Sequence, residues 1–232
     1  MNPTTPATPG MANFLDTASA LGGAGGSTAV KLFLLLTLLS FATAILTSIT
    51  CFIRIVVVMS FLRQALGTPQ LPPTQVVMGL SLFLTVFIMT PTATQIHEQA
   101  LKPLFDDKIT LTDALDKAEL PVREFLLKHT HVEEIRLFYE VSGRQRPARG
   151  DVVPMTVLIP AFMVSELTTA FKMGLFIFIP MLVIDVLIAA ILMSLGMMMV
   201  PPQMVSLPLK VGVFLVAGGW HLVVASLVRS FA

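Results

Sequence analysis

Four long apolar runs stand out along the chain, unequally separated by polar stretches. The first covers residues 32–53, 22 positions without a charge, bracketed by Lys31 and Arg54. The second covers residues 75–96 and follows the turn Thr68-Pro69-Gln70-Leu71-Pro72-Pro73. The third, residues 157–195, contains Glu166, Lys172 and Asp185, and the fourth, residues 211–228, lies between Lys210 and Arg229. A helix needs about 20 apolar residues to cross bilayer hydrocarbon, which the first, second and fourth runs match. The third is long enough for a span with about two extra turns, or for a span kinked near Pro180. Backbone groups in lipid must be hydrogen-bonded within the segment, so all four runs are predicted helical.

Residues 97–153 form a polar insertion between the second and third runs, and its pattern is also helical. Pro121 suits a first helical position. Val122, Phe125, Leu126, Val132, Ile135 and Phe138 then recur at three- and four-residue steps, and Ser142-Gly143 suits the end. A shorter helix is predicted near Thr112, with Leu111, Leu115 and Ala118 on one side. Residues 1–29, with Pro3, Pro6, Pro9 and the Gly22–Gly26 run, have linker composition and no basic stretch before an apolar core, so no ordinary secretory signal is expected. The predicted organisation is a flexible tail (1–29), a helical hairpin (30–96), an extracytoplasmic helical insertion (97–153) and a second helical hairpin (154–232) with a methionine-rich turn at 196–202. The fold class is therefore all-α, an integral membrane protein.

Composition sharpens this. Apolar residues are 55% of the 232 and charged residues 12%, so too few charges remain to cover a soluble enzyme. A net charge of +1 gives no field for polyanions, so no nucleic-acid partner is expected. The single cysteine, Cys51, cannot form an intrachain disulfide. Of 14 acidic residues, 11 fall between positions 98 and 151, and 9 of the 15 basic residues fall there too. Arg54 and Arg63, read as belonging to the short loop after the first run, favour the cytoplasm for that loop; the insertion then faces outward. Arg144, Arg146 and Arg149 decorate its exit as solvated charges or contacts to an anionic lipid or partner.

No catalytic constellation is visible, and no cofactor or metal is expected. His129 and His131 sit two residues apart, which on a helix points their rings about 200° apart, so they cannot share an ion. The serines lack a nucleophile-elbow frame. The informative residues are Glu166, Lys172 and Asp185, because a charge at the bilayer centre costs on the order of 3 kcal/mol. Glu166 and Lys172 are about 240° apart on one helix and cannot easily pair along it. Three readings stand: counterparts on another helix or another copy, an ion-coupling path through the carboxylates, or snorkelling to the interface. The string Gly196-Met197-Met198-Met199-Val200-Pro201-Pro202 predicts a turn at membrane depth, broken by Pro201 and Pro202. Met is apolar, unbranched and adaptable, so converging copies of Met197, Met198 and Met199 make a soft plug; adaptable packing at a helix turn is the plainer alternative.

These residues carry a resemblance. Thr50-Cys51-Phe52-Ile53-Arg54, Leu62-Arg63-Gln64-Ala65-Leu66-Gly67-Thr68-Pro69, Phe87-Ile88-Met89-Thr90-Pro91, Ser165-Glu166-Leu167 with Ala170-Phe171-Lys172, Ile184-Asp185 and the 196–202 string resemble the FliP family of the flagellar type III protein export gate, with the injectisome SctR family as close relatives. The resemblance implies a pore-forming subunit, in a ring of about five copies, that conducts unfolded flagellar subunits across the bacterial inner membrane within the basal body. It implies FliQ, FliR, FlhA and FlhB as partners beside membrane lipids, a gasket of Met197, Met198 and Met199, and inter-subunit contacts through Glu166, Lys172 and Asp185. The insertion would then be periplasmic. The chain departs from the pattern at Thr168, where many relatives carry a base, and at Gly218, where many carry Asp. An ion-coupled secondary transporter or channel using the intramembrane carboxylates is the alternative.

Overall fold

The computed structural model describes residues 26–68, 72–143, 152–197 and 199–231. Met198, the cluster Arg144, Arg146 and Arg149, most of the tail and part of the Pro-rich turn lie outside the described residues. Every regular element among those described is helical, and the chain is an all-α membrane protein. Two helices, Thr74–Phe105 and Met155–Ser194, are long and apolar enough to span a bilayer, and the number rises to four if each of two bent pairs is one span. The chain divides into two compact units, Met1–Leu46 and Thr47–Ala232.

Helix α1 (Gly26–Ser48) carries no acidic residue. Its hydroxyls bond back to the carbonyls of the preceding turn: Thr37 to Phe33 O (2.8 Å), Ser40 to Leu36 O (2.9 Å) and Thr43 to Ser40 O (2.9 Å). Such back-bonding lets polar side chains sit in an otherwise apolar helix. The predicted single segment over residues 32–53 is corrected here. The helix ends at Ser48, residues 49–51 bend, and α2 (Phe52–Ala65) begins afresh. Arg54 thus lies inside a helix, 4% exposed, and is no loop charge; Arg63, in the last turn of the same helix, is the one of the two near the loop.

In the second unit, α2 packs on α7 (Met155–Ser194). Ile55, Val58, Met59 and Leu62 line one face of α2 at helical spacing, and Leu158, Ala161, Phe162 and Ala170 answer from α7. The helices approach closely at Gly174, where a Cβ would lie 2.5 Å from the Phe61 ring. Small residues serve such contacts in membrane bundles. Gly174→Leu is expected to cost about 1–3 kcal/mol through overpacking, read as a lower unfolding temperature of the detergent-solubilised chain; an unchanged temperature would contradict this packing.

Helix α3 (Thr74–Ile96) follows Pro73. Arg63 Nη1 donates to Thr74 Oγ1 (3.1 Å), tying the end of α2 to the start of α3. The predicted boundary at residue 96 is not a break. The helix continues through a π turn (His97–Leu101) into α4 (Lys102–Phe105), so the first polar residues of the insertion extend the span. After a turn containing Asp107 at φ 54°, α5 (Leu111–His129) starts at a capping box. Thr110 Oγ1 accepts from Asp113 N–H, and the Asp113 carboxylate accepts from Thr110 N–H and hydroxyl. Those donors hold the Asp113 carboxyl below its usual range. Pro121, predicted to open a helix, lies inside α5 and is buried. A break at Thr130 separates α5 from α6 (Val132–Val141), so the predicted apolar stripe is shared by two helices; Ser142 caps α6, and Gly143 at φ 63° ends it.

Helix α7 is continuous through Pro160 and Pro180. At about 60 Å it is twice the thickness of bilayer hydrocarbon. Its buried positions concentrate in the first half, whereas the second half exposes Phe176 (80%), Ile179, Val186, Leu187 and Ile191. Helices α8 (Pro202–Val216) and α9 (Gly219–Arg229) lie where the fourth span is predicted, as a pair bent by 62°. Gly218 takes φ 64°, and a Cβ on Gly219 would lie 2.1 Å from the Phe214 ring, so this bend is built around two glycines.

Candidate functional site

A buried ion pair, a half-buried ion pair and a methionine turn are the candidate functional features among the described residues. The first pair is made where α2, α7 and the residues after α9 meet. Arg54 reaches Glu166 bidentately: Nε donates to Oε2 (2.9 Å) and Nη2 to Oε1. Its remaining donor group, Nη1, reaches Ser230 Oγ (3.0 Å) and Ser230 O (3.3 Å). The guanidinium carbon lies 3.8 Å from the centroid of the Phe231 ring. Glu166 is fully buried. Planar Arg suits this place, because one fork serves a carboxylate, a hydroxyl and an aromatic face together. Next to Glu166, Ser165 Oγ accepts from the His131 backbone N–H (2.7 Å). Consecutive residues of α7 thus fasten the insertion on one side and the α2–C-terminal cluster on the other.

The second pair lies near the far end of α7. Lys210 Nζ donates to Asp185 Oδ2 (2.5 Å) and to Ala65 O (3.2 Å), while Ser206 Oγ donates to Asp185 Oδ1 (2.7 Å). One ammonium therefore ties together α7, α8 and the end of α2. A cavity of about 280 Å³ opens beside it, lined in part by Gln64, Gly67, Phe178 and Gln203.

For two of the three intramembrane charges these pairs match the first of the readings above, a counterpart on another helix. Glu166 and Asp185 each find a counterion within their own chain. The reason is register: the bend at residues 49–51 turns Arg54 toward α7, and α8 begins early enough to carry Lys210 as a buried residue. Hydropathy puts both bases at segment ends, and an Arg inside Phe52-Ile53-Arg54-Ile55-Val56 is the signal in the sequence for the first. Lys172 is exposed on α7 and makes no ion pair among the described residues.

The methionine turn links α7 to α8. Gly196 at φ 74° follows the end of α7, its N–H bonded to Met193 O (3.0 Å), and Met197 N–H reaches back to Leu192 O (3.0 Å). This is a Schellman termination, and it needs the left-handed residue that glycine supplies. Pro201 precedes the next helix and Pro202 opens it. Met199 is 96% exposed and Met197 also projects outward. The turn therefore displays thioether side chains at the junction of two apolar helices, with its flanks pinned by Asp185, Ser206 and Lys210.

His129 and His131 lie on either side of the α5–α6 break, and no group of three metal-ligating side chains occurs among the described residues. His129 packs against Phe125 (4.8 Å) and Phe231 (5.1 Å). Burial, then the charges of Arg54 and Lys128, push its pKa down from 6.5 to about 4. The unfolded chain therefore takes up the proton first as pH falls below about 6.5, so His129 contributes stability above that pH that is lost as pH falls toward 4. Unfolding temperatures are expected to drop less between pH 7 and 4.5 in His129→Gln than in the wild type; parallel profiles would contradict this.

Comparison with known proteins sets these sites in a wider pattern. A family model described as the FliP family matches residues 35–227. The chain is 48% identical over 221 residues to the flagellar biosynthetic protein FliP of Bacillus subtilis (strain 168), covering 95% of this chain and 100% of the relative. It is 45% identical over 210 residues to that of Pectobacterium carotovorum subsp. carotovorum (90% and 81% covered). With that of Aquifex aeolicus (strain VF5) the identity is 46% over 204 residues (87% and 85%).

Proposed function

This chain belongs to the FliP family, and from that premise we propose that it is a pore-forming subunit of the flagellar type III protein export gate. It is a membrane component of the export apparatus and not an enzyme. In this reading about five copies form a ring with FliQ and FliR, beside FlhA and FlhB, in the bacterial inner membrane at the basal body, with the insertion on the periplasmic side. Unfolded flagellar subunits pass through the middle. The turns bearing Met197, Met198 and Met199 converge on the axis, exclude water by dewetting, and yield around an extended polypeptide. Lys172, exposed on α7, and the half-exposed Asp185 meet a neighbouring chain, and Glu166 supports that contact from behind.

The observation that carries the reading is the methionine turn: Met199 almost fully exposed, at a sharp junction between apolar helices whose flanks are clamped by a half-buried ion pair. The carrier alternative needs a carboxylate free to take and release an ion, and Glu166 and Asp185 are each held by a cation. The test is contact with cargo. A photo-crosslinking residue at Met197 or Met199 is expected to capture a flagellar subunit stalled in export by a folded fusion. Capture at Phe176, on the exposed flank of α7, with none at the methionines would overturn the reading.

A further inference from the structure

Sulfur is unevenly placed in this chain. Among the described residues five methionines are exposed, and four of them, Met193, Met197, Met199 and Met204, flank or form the turn between α7 and α8. Met59 and Met181 are buried, and the single thiol, Cys51, is fully buried. An oxidant arriving in water therefore meets the thioethers of the turn first. The turn is also poor in hydrogen-bond donors. Residues 196–202 carry no polar side chain. The N–H groups of Gly196, Met197 and Val200 already donate to Met193 O, Leu192 O and Met197 O, and Pro201 and Pro202 have none. Gln203, the first donor side chain beyond the turn, lines the cavity beside Asp185. A polar oxygen placed on Met197 or Met199 thus finds no side-chain donor within the turn, and water must satisfy it.

We propose that the turn is a modification site, at which hydrogen peroxide oxidises Met197 and Met199 to methionine sulfoxide and so turns the seal into a leak. The consequence for the seal rests on the pore reading above; the chemistry rests on the exposed sulfur alone. A sulfur lone pair attacks one peroxide oxygen, an S–O bond forms and the O–O bond breaks. The proton on the transferred oxygen passes to the departing hydroxide, which leaves as water. Sulfur gives up two electrons and peroxide takes both. Peroxide is small and uncharged, so it travels wherever water reaches the turn. The product replaces an adaptable apolar side chain by a polar, chiral one. Water held on its oxygen ends the dewetting on which the closed constriction depends.

The experiment treats the assembled complex with hydrogen peroxide, maps sulfoxide by peptide mass spectrometry, and records small-ion conductance in a planar bilayer. Sulfoxide is expected at Met197 and Met199 several-fold faster than at Met59 and Met181, and conductance is expected to rise several-fold with it. The variant with leucine at 197, 198 and 199 has no sulfur in the turn and is expected to stay at its own resting level in peroxide. Equal rates of oxidation at the exposed and buried methionines overturn the proposal. Sulfoxide at Met197 and Met199 without a rise in conductance overturns it too. So does an equal rise in the leucine variant, which would place the reactive group elsewhere. Alanine at the same three positions tests the pore reading without any oxidant: its leak upholds that reading even where peroxide changes nothing.

Discussion

Glu166→Ala is expected to remove about 3–5 kcal/mol of folding stability, the usual consequence of leaving a buried charge without its partner. Arg54 would keep its place in α2, its fork still facing Ser230 and Phe231, with nothing to neutralise it. The loss belongs to the single chain, because the pair is made within it. It is expected in protein produced without its partners, as a large fall in unfolding temperature and rapid proteolysis in detergent. The double variant Arg54→Met with Glu166→Met is expected to recover much of the stability, since replacing both members of a buried pair by apolar residues of similar volume is often close to neutral. A single variant as stable as the wild type would contradict the intrachain pairing. So would one that weakens only assembly between copies.

Replacing Met197, Met198 and Met199 by alanine is expected to raise small-ion conductance of the assembled complex from background to a clear leak. In the proposed gate each replacement removes a long apolar side chain from the constriction, and a wider constriction no longer stays dry. The fold is expected to survive, because Met197 and Met199 project outward and Gly196, Pro201 and Pro202 keep the turn. Leucine at all three positions is the sharper comparison. It keeps the apolar character and much of the volume but loses the flexible, polarizable thioether. That variant is expected to seal at rest and to export more slowly. Wild-type conductance in an assembled alanine complex would remove the gasket from the mechanism.

The sequence shows the spans readily because a bilayer tolerates only internally bonded backbone, and a soluble fold rarely needs an uncharged run of that length. It shows the bends poorly. The breaks at residues 49–51 and at Gly218 leave hydropathy almost unchanged, and only the Gly218-Gly219 pair hints at the second. Arg54 is misplaced for the same reason: counting charges along a line puts it at the edge of a run, while helical register puts it on the buried face beside Ile55 and Val58. Lys210 follows it, since α8 begins at Pro202 rather than after the lysine. Pro121 misleads differently. Proline favours a helix start, but the Thr110–Asp113 capping box upstream fixes the start first, and Pro121 is carried into the buried interior of α5. The end of α7 and the start of α8 are legible, because Gly196 and Pro201-Pro202 punctuate the chain there.

The central claim is that several copies encircle a hole. Native mass spectrometry of the complex, purified gently with its membrane partners, measures this most directly. About five copies of this chain per particle, with partner subunits attached, is the expected result. One copy per particle, active alone as a carrier in liposomes, would contradict it.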